Sequence, residues 1–317
     1  MSRKLGIALI AALVCAVIAW LWVSGGINIS PDSKEYMAAA QIRQDYGGLP
    51  VTYGVLAPMY PLVLSIFPNI ELATKLLNVI SFALTGFLTM LVLEPDPLAA
   101  LLVMIVLALS PALQYVQGFA WSEPLFIALV ALFFYGIKRD SVITMTMAVG
   151  MACMERYSGL ALIPAGLFAV WQMQRKPLLP SAMFLVGASA PISMWMLRNM
   201  VQGMGLLGIR LPGTTTWGIA IGFTLSAIAV WWPFLIAAAL LATRLTVSRK
   251  VALAAGVYSI FHCAMVIYGA ATTNLDMPDQ RLLAPAFIPI LLIVIAIAHS
   301  LLKDRLLFKN ARVVDPA

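Results

Sequence analysis

Residues 5–24 read LGIALIAALVCAVIAWLWVS, with no charged position. The hydrocarbon core of a bilayer takes about 20 mostly apolar residues per helix. Backbone crosses it only with its hydrogen bonds closed within the segment. This stretch is therefore read as a membrane-spanning helix. It follows Ser2-Arg3-Lys4 and lacks a clear small-residue cleavage site, so it is expected to be an uncleaved anchor.

Nine further apolar stretches follow, at 70–93, 97–116, 123–137, 141–154, 157–173, 178–198, 218–243, 250–270 and 282–302. Those between 123 and 173 are short for a span. The pair at 141–154 and 157–173 is expected to form a hairpin around Met154-Glu155-Arg156-Tyr157, or one broken element.

Composition supports this reading. Of 317 residues, 62% are hydrophobic and 10% are charged, against about 25% charged in soluble domains. The mean hydropathy is +0.96. So few polar residues cannot cover a soluble surface, and a disordered chain needs low hydrophobicity and high charge. An outer-membrane barrel alternates polarity over segments of about 10 residues, whereas the runs here are unbroken. The expected fold class is all-α, a polytopic transmembrane bundle of about ten spans. One membrane domain covers 1–302, a short cytoplasmic tail covers 303–317, and neither end carries a soluble domain. Cys15, Cys153 and Cys263 lie in apolar stretches and form no disulfide or metal pattern.

The net charge of +7 is a topology signal. With the N-terminus cytoplasmic, 13 of the 20 basic residues fall inside, at the N-terminus, in short loops and in the tail. This obeys the positive-inside rule. Glu94-Pro95-Asp96-Pro97 is the one cytoplasmic connection without Lys or Arg. The long connections, 25–69, 199–217 and 271–281, are external, and chemistry is expected there.

In the first external loop, Ser30 suits a helix N-cap and Pro31 the first helical position. The helix should run to Tyr46, stop at Gly47-Gly48 and lie at the membrane surface, with Tyr36, Met37 and Ala40 on one face. Asp32 and Glu35 complement the positive helix end. Alternatively, Asp32 is a general base at the membrane edge, which needs only hydrogen-bond reach to an acceptor hydroxyl. Farther on, the prolines of the stretch from Tyr53 to Leu62 are expected to prevent a regular helix. Its tyrosines, Tyr60 included, either anchor the interface or wall a site.

This loop resembles that of a known family. Asp32-Ser33 with Tyr36, then Pro58-Met59-Tyr60-Pro61-Leu62, resembles the first external loop of the GT-C glycosyltransferases. Trp121-Ser122-Glu123-Pro124, Arg156-Tyr157-Ser158-Gly159, Arg198-Asn199 with Gly208-Ile209-Arg210, and Arg281-Leu282-Leu283-Ala284-Pro285 resemble later motifs of that superfamily, in order. The superfamily includes lipid A aminoarabinose transferases and protein O-mannosyltransferases. The resemblance covers roughly residues 5–300. It implies an integral-membrane enzyme using a polyprenyl-phosphate sugar. Asp-Ser stands where better-known members often carry Asp-Glu.

The remaining polar residues are read in the same light. Glu123 opens a helix, where it satisfies backbone donors. It is also a second carboxylate which, with Asp32, is able to hold Mg²⁺ or Mn²⁺ beside phosphate oxygens. Arg156 either pairs at the hairpin or contacts a lipid phosphate. Arg210 and Arg281 are placed on phosphate, which guanidinium forks match, and Arg198 is left open. Asp276 and Asp279 are read as turn formers, Thr214-Thr215-Thr216 as a helix cap, and His262 and Asn78 as interhelical hydrogen-bonding residues.

Two function classes follow. One is a glycosyltransferase acting at the external face of the plasma (inner) membrane, on a lipid, glycan or protein acceptor, with inversion at the anomeric carbon. The other is a lipid-linked sugar flippase or a catalytically inactive partner subunit. Transporters place ionisable groups at mid-membrane in related halves, whereas here they crowd one face.

Overall fold

The computed structural model describes residues 3–50, 53–274 and 276–313, with side chains to Leu302. The helices are α1 (Arg3–Val23), α2 (Pro31–Tyr46), α3 (Met59–Leu64), α4 (Ile70–Leu93), α5 (Pro97–Leu109), α6 (Pro111–Gln117), α7 (Glu123–Lys138), α8 (Val142–Glu155), α9 (Leu162–Met173), α10 (Leu178–Val201), α11 (Trp217–Ala229), α12 (Trp232–Leu240), α13 (Arg249–Thr272) and α14 (Gln280–Val313). A 3₁₀ turn, Tyr157–Ala161, leads into α9. Among the described residues there is no strand, only isolated bridges at Asn28–Phe119 and Pro212–Thr273.

All ten apolar stretches are helical, but not as ten full spans. Among the described residues, five helices are long and apolar enough to cross a membrane: α1, α4, α10, α13 and α14 to Leu302. Two bent pairs raise the number to seven, α5 with α6 at 61° and the α11–α12 region at 46°. Proline explains both breaks. Pro111 leaves Ser110 before it extended (ψ 119°), and Pro233, in the first turn of α12, lacks the N–H that would bond the Ala229 carbonyl across the second break. Ser110 then caps α6 through Leu113 N–H. Helices α7 and α8 have 16 and 14 residues, too few to span a straight bilayer core alone. These apolar helices make the chain an integral membrane protein.

Packing follows side-chain size. Ala8, Ala11, Cys15 and Ala19 form the buried seam of α1, while Ile10, Leu13, Val17 and Leu21 face outward. The seam meets Gly86 of α4, where a Cβ would lie 2.5 Å from Cys15 Sγ. Small residues allow this close helix approach, as is usual in membranes. Helix α10 exposes Leu179, Met183, Val186, Met194 and Leu197, the surface expected for lipid.

Ion pairs mark one end of the bundle. Glu94 pairs with Lys4 and Lys138, Asp96 with Arg244, and Asp140 with Lys250. The acidic connection without basic residues of its own is thus neutralised by its neighbours. The Lys4 ammonium beside Glu94 holds that carboxyl below the ordinary value, against partial burial. The backbone of α14 continues past Leu302 to Val313, so part of the expected tail is helical. Residues 314–317 of that tail lie outside the described residues.

The surface helix forms as its sequence dictates. Ser30 and Ser33 make a capping box, and Gly47 ends α2 in the left-handed region at φ 76°. Its buried face is Ser33, Tyr36, Ala39 and Ala40, with Met37 only half-buried. One expectation is corrected nearby. The proline-rich stretch is irregular only to Pro58, and Met59–Leu64 then forms the short helix α3. Pro61 sits in its first turn, where a missing N–H costs nothing.

Candidate active site

The opposite end of the bundle gathers residues from four distant segments. Asp32 lies in the first turn of α2, Glu123 and Arg281 near the starts of α7 and α14, and Arg156 at the end of α8. The chain segment before α7 is pinned first. Asn78 of α4 donates to the carbonyls of Gln117 and Phe119 at 2.7 and 2.8 Å, and Asn28 exchanges backbone bonds with Gly118 and Ala120. Trp121 Nε1 then donates to Ser30 Oγ at 2.6 Å, tying the α7 entry to the α2 cap.

Arg281 is the hub. Its Nε donates to Glu123 Oε1 at 2.5 Å, its Nη2 to Asp32 Oδ2, and its Nη1 to Asp276 Oδ2 at 3.3 Å. The guanidinium also lies 4.1 Å over the Trp121 ring. Arg156 Nη1 reaches the same Glu123 oxygen at 2.7 Å and Ser122 Oγ at 3.0 Å. Tyr36 Oη meets Ser122 Oγ at 3.0 Å, and the Tyr36 and Tyr60 rings pack edge to face at 4.8 Å. Both tyrosines are buried, so they brace α2 and α3 beneath the cluster. Asp32 is open to solvent, with its side chain 33% exposed, as is Asp276 at the rim, while Glu123 is fully buried. The second oxygen of Asp32, Oδ1, is not engaged by Arg281. Glu35, next on α2, is raised above the ordinary carboxylate value by burial and then by Asp32.

A second cluster is cationic. Arg198 donates to the carbonyls of Tyr53 and Pro50 at 2.7 and 2.8 Å and lies 4.4 Å over Trp195. Arg210 donates to Val55 O at 3.0 Å and lies 5.8 Å from the Tyr157 ring centre. Tyr157 Oη donates to Gly54 O at 2.7 Å. At Gly208, φ is 79° and a Cβ would lie 2.4 Å from Val55 N, so glycine lets the 208–210 segment approach this loop. Among the described residues, neither Arg198 nor Arg210 pairs with a carboxylate. Burial lowers Arg210 below the usual arginine value, with Tyr157 opposing.

These contacts place the sequence candidates. Asp32, Glu123, Arg156 and Arg281 come together, with Tyr36 braced against them through Ser122. The expectation that Arg281 faces a phosphate meets a different arrangement, because three carboxylates hold its donors. Arg210, like Arg198, has no carboxylate partner among the described residues. Arg156 pairs with Glu123 and not with its neighbour Glu155. Its extended backbone (φ −150°, ψ 140°) breaks the α8 helix and turns the two side chains apart. Asp276, read as a turn former, joins the cluster, and Asp279 caps α14 through Leu282 N–H at 3.0 Å. The links made by Ser30 to Trp121, and by Ser122 to Tyr36 and Arg156, carry no signal in the sequence, where a hydroxyl beside a helix start suggests at most a cap.

The donor set does not fit the Mg²⁺ or Mn²⁺ expected on Asp32 and Glu123. A guanidinium already bridges the two carboxylates, and a divalent ion there would face Arg281 and Arg156 at contact distance. Among the described residues, no three His, Cys, Asp or Glu side chains group to hold a metal.

Glu155 stands apart. It is fully buried, and among the described residues neither carboxyl oxygen has a hydrogen-bond partner. Burial pushes its carboxyl well above the ordinary range; Arg156 opposes this and Glu123 adds to it. A raised carboxyl stabilises the fold fully below its unfolded value and loses that stability as pH rises through the folded value. Glu155→Gln keeps the shape and cannot ionise. Its melting temperature should therefore gain on the parent as pH rises from about 4.5, the ordinary value. Parallel melting curves across pH would refute the assignment.

No family model matches the chain, and no curated protein matches it. Two solved structures do. ArnT from Cupriavidus metallidurans bound to undecaprenyl phosphate has a TM-score of 0.66 at 15% identity, over 92% of this chain and 60% of that one. The same protein in the apo state has a TM-score of 0.63 at 17% identity, over 94% of this chain. This chain thus spans about 60% of the ArnT length. The resemblance read from the loop motifs is thus accompanied by a likeness of fold over nearly the whole chain.

Proposed function

We propose that this protein is a membrane glycosyltransferase. It moves a sugar from a polyprenyl-phosphate donor to an acceptor at the external face of the plasma membrane, with both termini cytoplasmic. The observation that carries the reading is the division of charge at the site. A centre of paired carboxylates and guanidiniums (Asp32, Glu123, Asp276, Arg156, Arg281) lies at the same end of the bundle as a cationic cluster without carboxylates (Arg198, Arg210).

The division suits the chemistry. Arg281 holds Asp32 Oδ2, which leaves Oδ1 to take the proton of an acceptor hydroxyl. The acceptor oxygen bonds to the anomeric carbon as the bond from that carbon to the phosphate oxygen breaks, which inverts the centre. The electron pair leaves on the phosphate, and Arg210, uncompensated before substrate arrives, stabilises it there. Glu123 fixes Arg156 and Arg281. A flippase is disfavoured because the helix breaks, at Ser110-Pro111 and Val230-Trp231, carry no ionisable residue.

Binding of a polyprenyl phosphate to purified protein tests the assignment. Loss of a charge-assisted hydrogen bond costs about 1.5–3 kcal/mol, so Arg210→Ala should weaken binding roughly ten- to hundred-fold. Unchanged affinity would remove Arg210 from the phosphate site.

A further inference from the structure

We infer that His262 is a positioning residue for Arg281, setting the spacing of the two helices whose first turns form the reacting centre. The inference rests on the transferase reading above.

His262 lies in α13 and is 1% exposed. Its Nε2 is 2.9 Å from the Leu282 carbonyl, directly after Arg281 in α14. A carbonyl only accepts, so Nε2 carries the hydrogen and Nδ1 is an acceptor. Tyr258 Oη, 3.4 Å from Nδ1, is placed to donate to it and so to hold the ring and its tautomer.

On its other side the ring stacks on Phe126 at 6.3 Å between centres. Phe126 lies three residues after Glu123 on α7, so the two share a helix face. His262 is therefore wedged between the first turn of α7, which carries Glu123, and that of α14, which carries Arg281.

The first turn of α14 needs such a support. Pro285 has no N–H to bond the Arg281 carbonyl, so the helix does not fully fix its own start. Tethers from outside do so instead. Asp279 caps the turn, and Gln280 bonds Ala227 O at 2.7 Å and Trp231 at 2.5 Å. Of these tethers, His262 is the one that also touches the Glu123 helix.

The test compares His262→Leu and His262→Gln with the parent, following release of polyprenyl phosphate from a polyprenyl-phosphate sugar. A misplacement of about 1 Å can cost roughly a hundred-fold in rate. The leucine variant should lose kcat on that order with KM unchanged, and glutamine, which keeps an N–H within reach of Leu282 O, should restore most of it. If leucine fails to fold, His262→Asn replaces it, being too short to reach that carbonyl. Parent-like kcat in the leucine or asparagine variant, or no rescue by glutamine, would overturn the inference.

A second readout does not depend on turnover. The melting-temperature losses of His262→Leu and Arg281→Met should be non-additive in the double variant, since the His262 tether on Leu282 acts by holding Arg281 against Glu123; additive losses would overturn the inference. A parent that releases no polyprenyl phosphate would sink the transferase reading, and the melting cycle would then decide the role of His262 alone.

Discussion

Arg281→Met should be the most damaging single substitution in this protein. Arg281 is 8% exposed and Glu123 not at all, so methionine leaves a buried carboxylate facing Arg156 alone and frees Asp32 and Asp276. Breaking a buried ion pair from one side costs roughly 3–5 kcal/mol, much of typical domain stability. Turnover should vanish with it, because Asp32 loses the group that orients it. Arg281→Lys keeps the charge but not the fork that reaches three carboxylates at once, so it should recover part of the stability and little of the rate. Thermal unfolding in detergent, with turnover measured on the same samples, checks both. A methionine variant as stable as the parent would mean that the cluster is not the structural hub.

Asp32→Asn should separate chemistry from folding. A third of its side chain is exposed, and Arg281 keeps Glu123 and Asp276 when Asp32 is neutralised. Melting temperature and donor affinity should therefore stay near parental values. Loss of a general base lowers rates by about 10²–10⁴-fold, and kcat should fall within that range. A variant that turns over like the parent would exclude Asp32 as the base.

These substitutions also mark how far the residues speak for themselves. The ten apolar stretches, the Ser30 cap and the Gly47 stop are local signals, set by side chains within a few positions of one another. The arginines of the long connections were legible as a departure from the expected charge asymmetry. Which arginine meets which carboxylate was not. Glu123 and Arg281 are 158 positions apart, and only the packing of α7, α13 and α14 joins them. Arg156 beside Glu155 looks like a local ion pair until extended backbone separates them. The helix breaks at Pro111 and Pro233 were hidden inside apolar runs, where hydropathy outweighs a single proline. Met59–Leu64 shows the reverse, a proline tolerated because it falls in a first turn.

Purified protein in liposomes, offered a panel of polyprenyl-phosphate sugars and acceptors, should release free polyprenyl phosphate with one of them and transfer the sugar with inversion. That release should fall with Asp32→Asn. No release with any sugar, while labelled lipid crosses the bilayer, would contradict the account and make the protein a lipid transporter.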